Sequence, residues 1–178
     1  MSYALLPYTV DLELLRSAIT SKDHALVDAV VAKNPQAFES QEDDEEISLR
    51  QALTTLLLGG DFNSEYAHLY GYALEQLCHH LGGALEVRHW DAVGSHTLMV
   101  TGVEDILEKT GPPVPMPRIP DFPTIGHIPL DEVASTLNRI RGQKSLCADK
   151  ALLDLFGELE AWMQAALSQS KALVFFYY

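Results

Sequence analysis

The sequence predicts an α+β fold: six to seven helices packed with a small, mostly antiparallel sheet that includes both termini. Three observations predict it. Much of the chain carries apolar residues every three or four positions, the period of a helix with one buried face. The last residues, Ala172 to Tyr178 (ALVFFYY), have the β-branched and aromatic composition of a strand. The opening Ser2 to Val10 is short, apolar and marked by Tyr3, Tyr8 and Val10, with Pro7 tolerated at an edge or a strand end. An unpaired ALVFFYY would be an aggregation hazard, so it is expected to pair inside a sheet, with the N-terminal strand as its partner. Hydrophobic content of 47% is that of a globular protein. No internal repeat or composition break divides residues 1–178, which read as a single domain.

Asp11 is placed to cap a helix through Ile19 that turns Leu12, Leu15, Ala18 and Ile19 inward. Ser21 starts a second helix, Lys22 to Lys33, on Leu26, Val27, Val30 and Val31; Asn34 and Pro35 end it. Residues 39–46 (ESQEDDEE) hold six acids in eight positions. Like charges this dense cannot be buried unpaired, so the stretch reads as a solvated loop leading into the positive end of the next helix. That helix runs from Ile47 to Leu58, and Gly59 and Gly60 stop it.

Glu65 to Gly83 (EYAHLYGYALEQLCHHLGG) follows as an amphipathic helix. Tyr70, Ala73, Leu74, Leu77 and Leu81 fall on one face, and His68, Tyr72, Glu75 and His79 on the opposite, solvent-facing one. Ala84 to Trp90 alternates with period two and predicts a strand, with a second short strand at Thr97 to Val100. Val103 to Thr110 is a short helix. Gly111 to Pro129 holds seven prolines interleaved with Met116, Ile119, Phe122 and Ile125, which predicts an extended segment laid over the domain. Leu130 to Arg141 is a helix ended by Gly142, and Asp149 to Ser168 is the most regular helix of the C-terminal half.

Two histidines, a carboxylate and a phenol on one helix face can bind a metal, form an acid–base pair or meet a partner. The zinc-protease pattern HExxH is absent, because His68 and His79 lie eleven residues apart and Glu75 precedes His79 by four. Glu65-x-x-His68 and Glu86-x-x-His89 match the ExxH pattern of di-iron bundles, but the second falls in the expected strand, where residues three apart point to opposite faces. The plainer reading is a solvated stripe with Glu75 and His79 as a surface pair. Cys78 reads as a small core residue, since its neighbours His79 and His80 project about 100° away from it around the helix. Trp90, Asp91 and His96 surround the central turn without forming a specific pattern. There is no glycine-rich phosphate loop and no GxSxG.

The net charge of −13, with twelve basic residues scattered among twenty-five acids, argues against nucleic-acid binding and favours a basic protein partner. No apolar run approaches the ~20 residues of a membrane helix. The N-terminus reads as mature sequence without a secretory leader. Cys78 and Cys147 belong to no metal or disulfide spacing, which fits a cytoplasmic protein without a cofactor.

The opening MSYALLPYTVDLELLRSAI, the stretches YGYALEQLCHHLG (70–82) and DFPTIGHI (121–128), and the aromatic C-terminal strand resemble an uncharacterised family of small bacterial cytoplasmic proteins, a domain of unknown function. The resemblance spans nearly the whole chain and implies one domain, but carries no activity, cofactor or catalytic residue. Size, acidity and mixed α/β make-up are also similar to toxin-immunity proteins. The expected function is therefore a non-enzymatic acidic binding module, of the immunity-inhibitor type. It would meet a basic partner through His68, Tyr72, Glu75, His79 and the acidic residues Glu42, Asp43, Asp44 and Glu45. The alternative is a metal-dependent or hydrolase-like enzyme using His68, Glu75 and His79, with His89 as a further candidate.

Overall fold

The two ends of the chain meet as neighbouring strands at the centre of one sheet. The computed structural model describes residues 3–39 and 46–178. Strand β1 (Leu5–Val10) lies antiparallel to β4 (Ala172–Tyr177), in register from Leu5 opposite Tyr177 to Val10 opposite Ala172. The two-residue strand β2 (Gly83–Ala84) pairs with the outer side of β1, and β3 (Thr124–Ile128) with the outer side of β4. The sheet order is β2-β1-β4-β3, with every pairing antiparallel. The α+β class, the sheet and the inclusion of both chain ends follow the expectation from sequence.

All six residues of β4 are buried, so both faces of the sheet are covered. Val174 and Phe176 share one core with Tyr8 and Val10, whereas Leu173, Phe175 and Tyr177 share another with Leu5 and Ile128. The period-two alternation of a strand separates these two cores onto opposite faces. On the first face pack α1 (Leu12–Ala18), α2 (His24–Lys33), α4 (Leu49–Leu58) and α5 (Ala67–Leu81). On the second pack α6 (Ser95–Thr101), α7 (Val103–Thr110), α8 (Leu130–Leu146) and α9 (Lys150–Gln169). With the short α3 (Pro35–Glu39), which opens on proline, nine α-helices are present among the described residues. None of the described helices is long and apolar enough to cross a membrane.

Polar side chains start several helices where the sequence placed them. The Asp11 carboxylate accepts from Glu13 N and Leu14 N, and Asp149 accepts from Ala151 N and Leu152 N. Ser48 and Gln51 form a reciprocal capping box at α4, which therefore begins at Leu49 rather than at the expected Ile47. The cap of α2 is Asp23 rather than Ser21, so that helix begins two residues later than expected.

Four segments depart from expectation. The strand expected over 84–90 stops at Ala84: Leu85 N and Trp90 O still bond to Pro7 O and Leu5 N of β1, but the backbone groups between them turn to α9. Glu158 accepts from Arg88 N and His89 N, and the Trp162 indole donates to Glu86 O. Thr97–Val100 is helical, inside α6; Thr101 Oγ1 donates back to Thr97 O, and Leu98 is buried, so tertiary packing overrides the β-propensity of this stretch. α8 runs through Gly142 to Leu146, held against α9 by Arg141 and Lys144 bonding the two oxygens of Glu160. The proline-rich segment closes with β3, an edge strand, which proline near a strand end permits.

Both sheet edges are protected. β2 is only two residues long, and β3 is covered by α7, whose Thr110 Oγ1 accepts from His127 N. The approach is close at Gly126, where an added Cβ would lie 2.7 Å from Leu107 Cα and 2.8 Å from Ile106 O. Gly142, by contrast, faces open space. Gly126→Ala is therefore expected to cost about 1–3 kcal/mol through backbone clash. Gly142→Ala is expected to add about 0.5–1 kcal/mol by removing helix-interior glycine entropy. Urea denaturation of the two variants checks both signs.

Candidate functional site

α5 is the helix around which the first core closes. Ala67, Leu69, Tyr70, Gly71, Ala73, Leu74, Leu77 and Cys78 are all buried, which leaves little of its circumference for solvent. Gly71 allows the closest approach on the far side: a Cβ there would sit 2.8 Å from both Ile119 Cδ1 and Pro123 Cγ of the proline-rich segment. The last carbonyls of the helix are also engaged. Lys33 Nζ donates to His79 O at 2.8 Å and to His80 O at 3.4 Å. Burial, with Lys33 and His79 close by, lowers the His80 pKa below its ordinary value.

Glu75, expected on the wet face, is buried with 9% relative exposure. It is not the surface partner of His79. Its carboxylate is the meeting point of the two chain ends: Tyr8 of β1 donates to Oε1 at 2.6 Å, and Tyr178, just beyond β4, donates to Oε2. Rings extend from this centre in both directions. Tyr72 stacks on Tyr178 with centroids 5.7 Å apart, and His68 sits edge-on to Tyr72 at 5.8 Å. On the other side the His79 ring is edge-on to Tyr8 at 6.3 Å. The four residues singled out on α5 thus belong to one network, and it turns inward onto the terminal strands. The reason is local: Ala73, Leu74, Leu77 and Cys78 widen the buried arc until it takes in position 75.

This environment shifts the titrating groups around it. Burial first, then the Glu75 charge and its hydrogen bond, push both the Tyr8 and Tyr178 phenols well above their ordinary value. Burial and Glu75 likewise push the Cys78 thiol up, so Cys78 is the inert core residue expected. Among the described residues, no three His, Cys, Asp or Glu side chains gather closely enough to hold a metal ion. The alternative set His68, Glu75 and His79 is therefore not assembled as a metal site. Glu42, Asp43, Asp44 and Glu45 lie outside the described residues.

Beside the network is a cleft of about 310 Å³ between the start of α5 and the proline-rich segment. Glu65, His68, Tyr72, Ile119, Pro120, Asp121 and Phe122 line it. It combines exposed carboxylates with aromatic faces, groups that attract a cation together.

A second constellation, on the other side of the sheet, escaped sequence reading. The buried Glu158 of α9 accepts from Arg88 N at 2.6 Å, from His89 N at 2.9 Å and from the His89 ring at 3.0 Å. From sequence His89 is a further candidate of the metal-dependent or hydrolase-like alternative, and Glu158 is hidden in the apolar stripe of α9, where an isolated acid between Phe156 and Leu159 is the available signal. Trp90 is wholly buried, donating its indole hydrogen to Leu155 O.

The network ties alkaline pH to stability. In the unfolded chain the phenols ionise near 10.0, while in the fold Tyr8 and Tyr178 hold their protons to higher pH. The stability they contribute is present in full below about pH 10 and falls as pH rises through their native pKa values, because only the unfolded state releases protons. Tyr8→Phe is expected to flatten that loss above pH 10. At pH 7 it is expected to cost about 1.5–3 kcal/mol, the range for a hydrogen bond to a charged group. Equilibrium denaturation at pH 7 and through pH 9–12 measures both.

Comparison with family models places the whole chain: the model described as "Domain of unknown function (DUF7691)" matches residues 1–178. Comparison with curated proteins gives no match, and neither does comparison with solved structures.

Proposed function

We propose that this chain, which belongs to that family of undefined function, is a cytoplasmic, non-enzymatic binding module that presents an acidic surface to a basic protein partner. The observation that carries this reading is the cleft at the start of α5. It places the carboxylates of Glu65 and Asp121 beside the rings of Tyr72 and Phe122, on a chain of net charge −13. A lysine or arginine side chain entering there would meet opposite charge and an aromatic face together, a pairing worth about 0.5–2 kcal/mol beyond its burial. The long-range field of the whole acidic surface would speed and orient the encounter. Glu42, Asp43, Asp44 and Glu45 add to that field from the same chain. The size and acidity of the protein support an inhibitor of the immunity type, one that covers the basic surface of its target.

The roles within the contact differ. His68 and Tyr72 shape the cleft, while Glu75 and His79 hold α5 and the terminal strands in the arrangement that builds it. Substitution of Glu75 would therefore lower affinity through stability, whereas substitution of Glu65 or Asp121 would lower it with the fold intact.

The test is affinity capture from native cells, followed by titration of the captured partner. Affinity is expected to fall by at least tenfold between 50 and 500 mM salt. A further loss is expected in a variant with Glu42, Asp43, Asp44 and Glu45 neutralised to Gln or Asn, and in Glu65→Gln/Asp121→Asn. A complex indifferent to salt and to both variants, or no complex at all, would end the proposal.

A further inference from the structure

The second face of the molecule carries a cleft of about 410 Å³ between α9 and the irregular chain that follows β2. Its floor has a simple cause. Gly157, Ala161 and Ala165 recur every four residues along α9 and so stack in one row, leaving a trough about 12 Å long. Leu85 and Trp162 complete the apolar wall. The Trp162 indole is itself fixed, donating to Glu86 O at 2.9 Å.

One end of the trough is polar. Asp154 lies one turn before Gly157 on the same helix, and His89, with its side chain 48% exposed, lines the same cleft. Glu158 determines what His89 can do. A carboxylate only accepts, so the hydrogen in the 3.0 Å contact belongs to His89 Nδ1, and in the neutral form of the ring the other nitrogen is an acceptor. The remaining charges lean the same way. The Arg88 guanidinium is held by Glu86 at 2.5 Å, and the Lys144 ammonium near Gly157 is held by Glu160 at 3.1 Å. What the cleft offers a ligand head is therefore a carboxylate, an imidazole ring and an excess of negative charge. What it offers a ligand body is an apolar trough.

We propose that this cleft binds a small amphipathic amine, with its alkyl chain along Gly157, Ala161 and Ala165 against Trp162 and its ammonium between Asp154 and His89. Glu158 is a positioning residue: it orients the imidazole and touches no ligand. The site lies on the opposite face of the sheet from the acidic cleft of α5 and rests on none of the residues argued there.

Hexylammonium is the probe, with hexanoate and 1-hexanol as controls of equal chain length. The indole N–H resonance of Trp162 is followed by NMR at constant ionic strength. Hexylammonium is expected to shift it saturably, and hexanoate to leave it in place. Asp154→Asn is expected to weaken hexylammonium binding about tenfold by removing the charged acceptor. Ala161→Leu, at an exposed helix position that tolerates a larger side chain, is expected to abolish binding by filling the trough, with thermal unfolding confirming an intact fold. Equal binding of hexanoate or hexanol, or hexylammonium binding untouched by Ala161→Leu, would overturn the proposal.

Discussion

The carboxylate of Glu75 is the constraint on which the rest of this molecule depends. Three parts of the chain that are distant in sequence converge on its two oxygens: β1 through Tyr8, the end of β4 through Tyr178, and α5 itself. A buried carboxylate with one donor missing would lose about 1.5–3 kcal/mol, so the three parts are held as a set rather than as separate pairs. The same contact fixes the register of the central strand pair, since Tyr8 lies opposite Val174 and a slip of one residue would put Tyr8 and Phe176 on opposite faces of the sheet. Without that register, neither hydrophobic core could close. The ring network of His68, Tyr72 and His79 grows outward from this point, and the acidic cleft borders it.

Much of the fold was legible because local chemistry and tertiary structure agree. Asp11 and Asp149 start helices where they precede apolar periodicity, and ALVFFYY pairs as its composition demands. The failures occurred where a distant partner decided the outcome. Residues 84–90 alternate like a strand, yet between Leu85 and Trp90, which still bond to β1, the backbone turns to Glu158 and Trp162, more than sixty positions away. Gly142 has the form of a helix stop, but Glu160 grips Arg141 and Lys144 on either side of it and carries α8 onward.

The candidate residues on α5 were found by the right signal and given the wrong environment. Periodicity correctly gathered His68, Tyr72, Glu75 and His79 on one face. It could not say that Tyr8 and Tyr178 would cover that face, because a helical wheel weighs polarity within the helix and carries nothing about donors arriving from strands. The flanking small residues Gly71 and Ala73 were the available hint: a helix that offers close approach on several sides is a central helix, and a carboxylate on it requires donors.

The two clefts share an origin in how irregular chain is laid against a helix. The segment after β2 keeps backbone groups that need partners once covered; Glu158 of α9 accepts from two of its N–H groups and the Trp162 indole donates to the Glu86 carbonyl, so polar side chains are concentrated along that seam. The proline-rich segment has few such donors to satisfy, and it is held to α5 by shape, with Ile119 and Pro123 seated at Gly71. Its neighbouring acids, Asp121 and Glu65, are exposed to solvent. A seam closed by hydrogen bonds leaves an oriented imidazole at its mouth, whereas a seam closed by packing leaves charge and aromatic surface. The first arrangement suits a small molecule with a defined head, and the second suits the side chain of a protein partner.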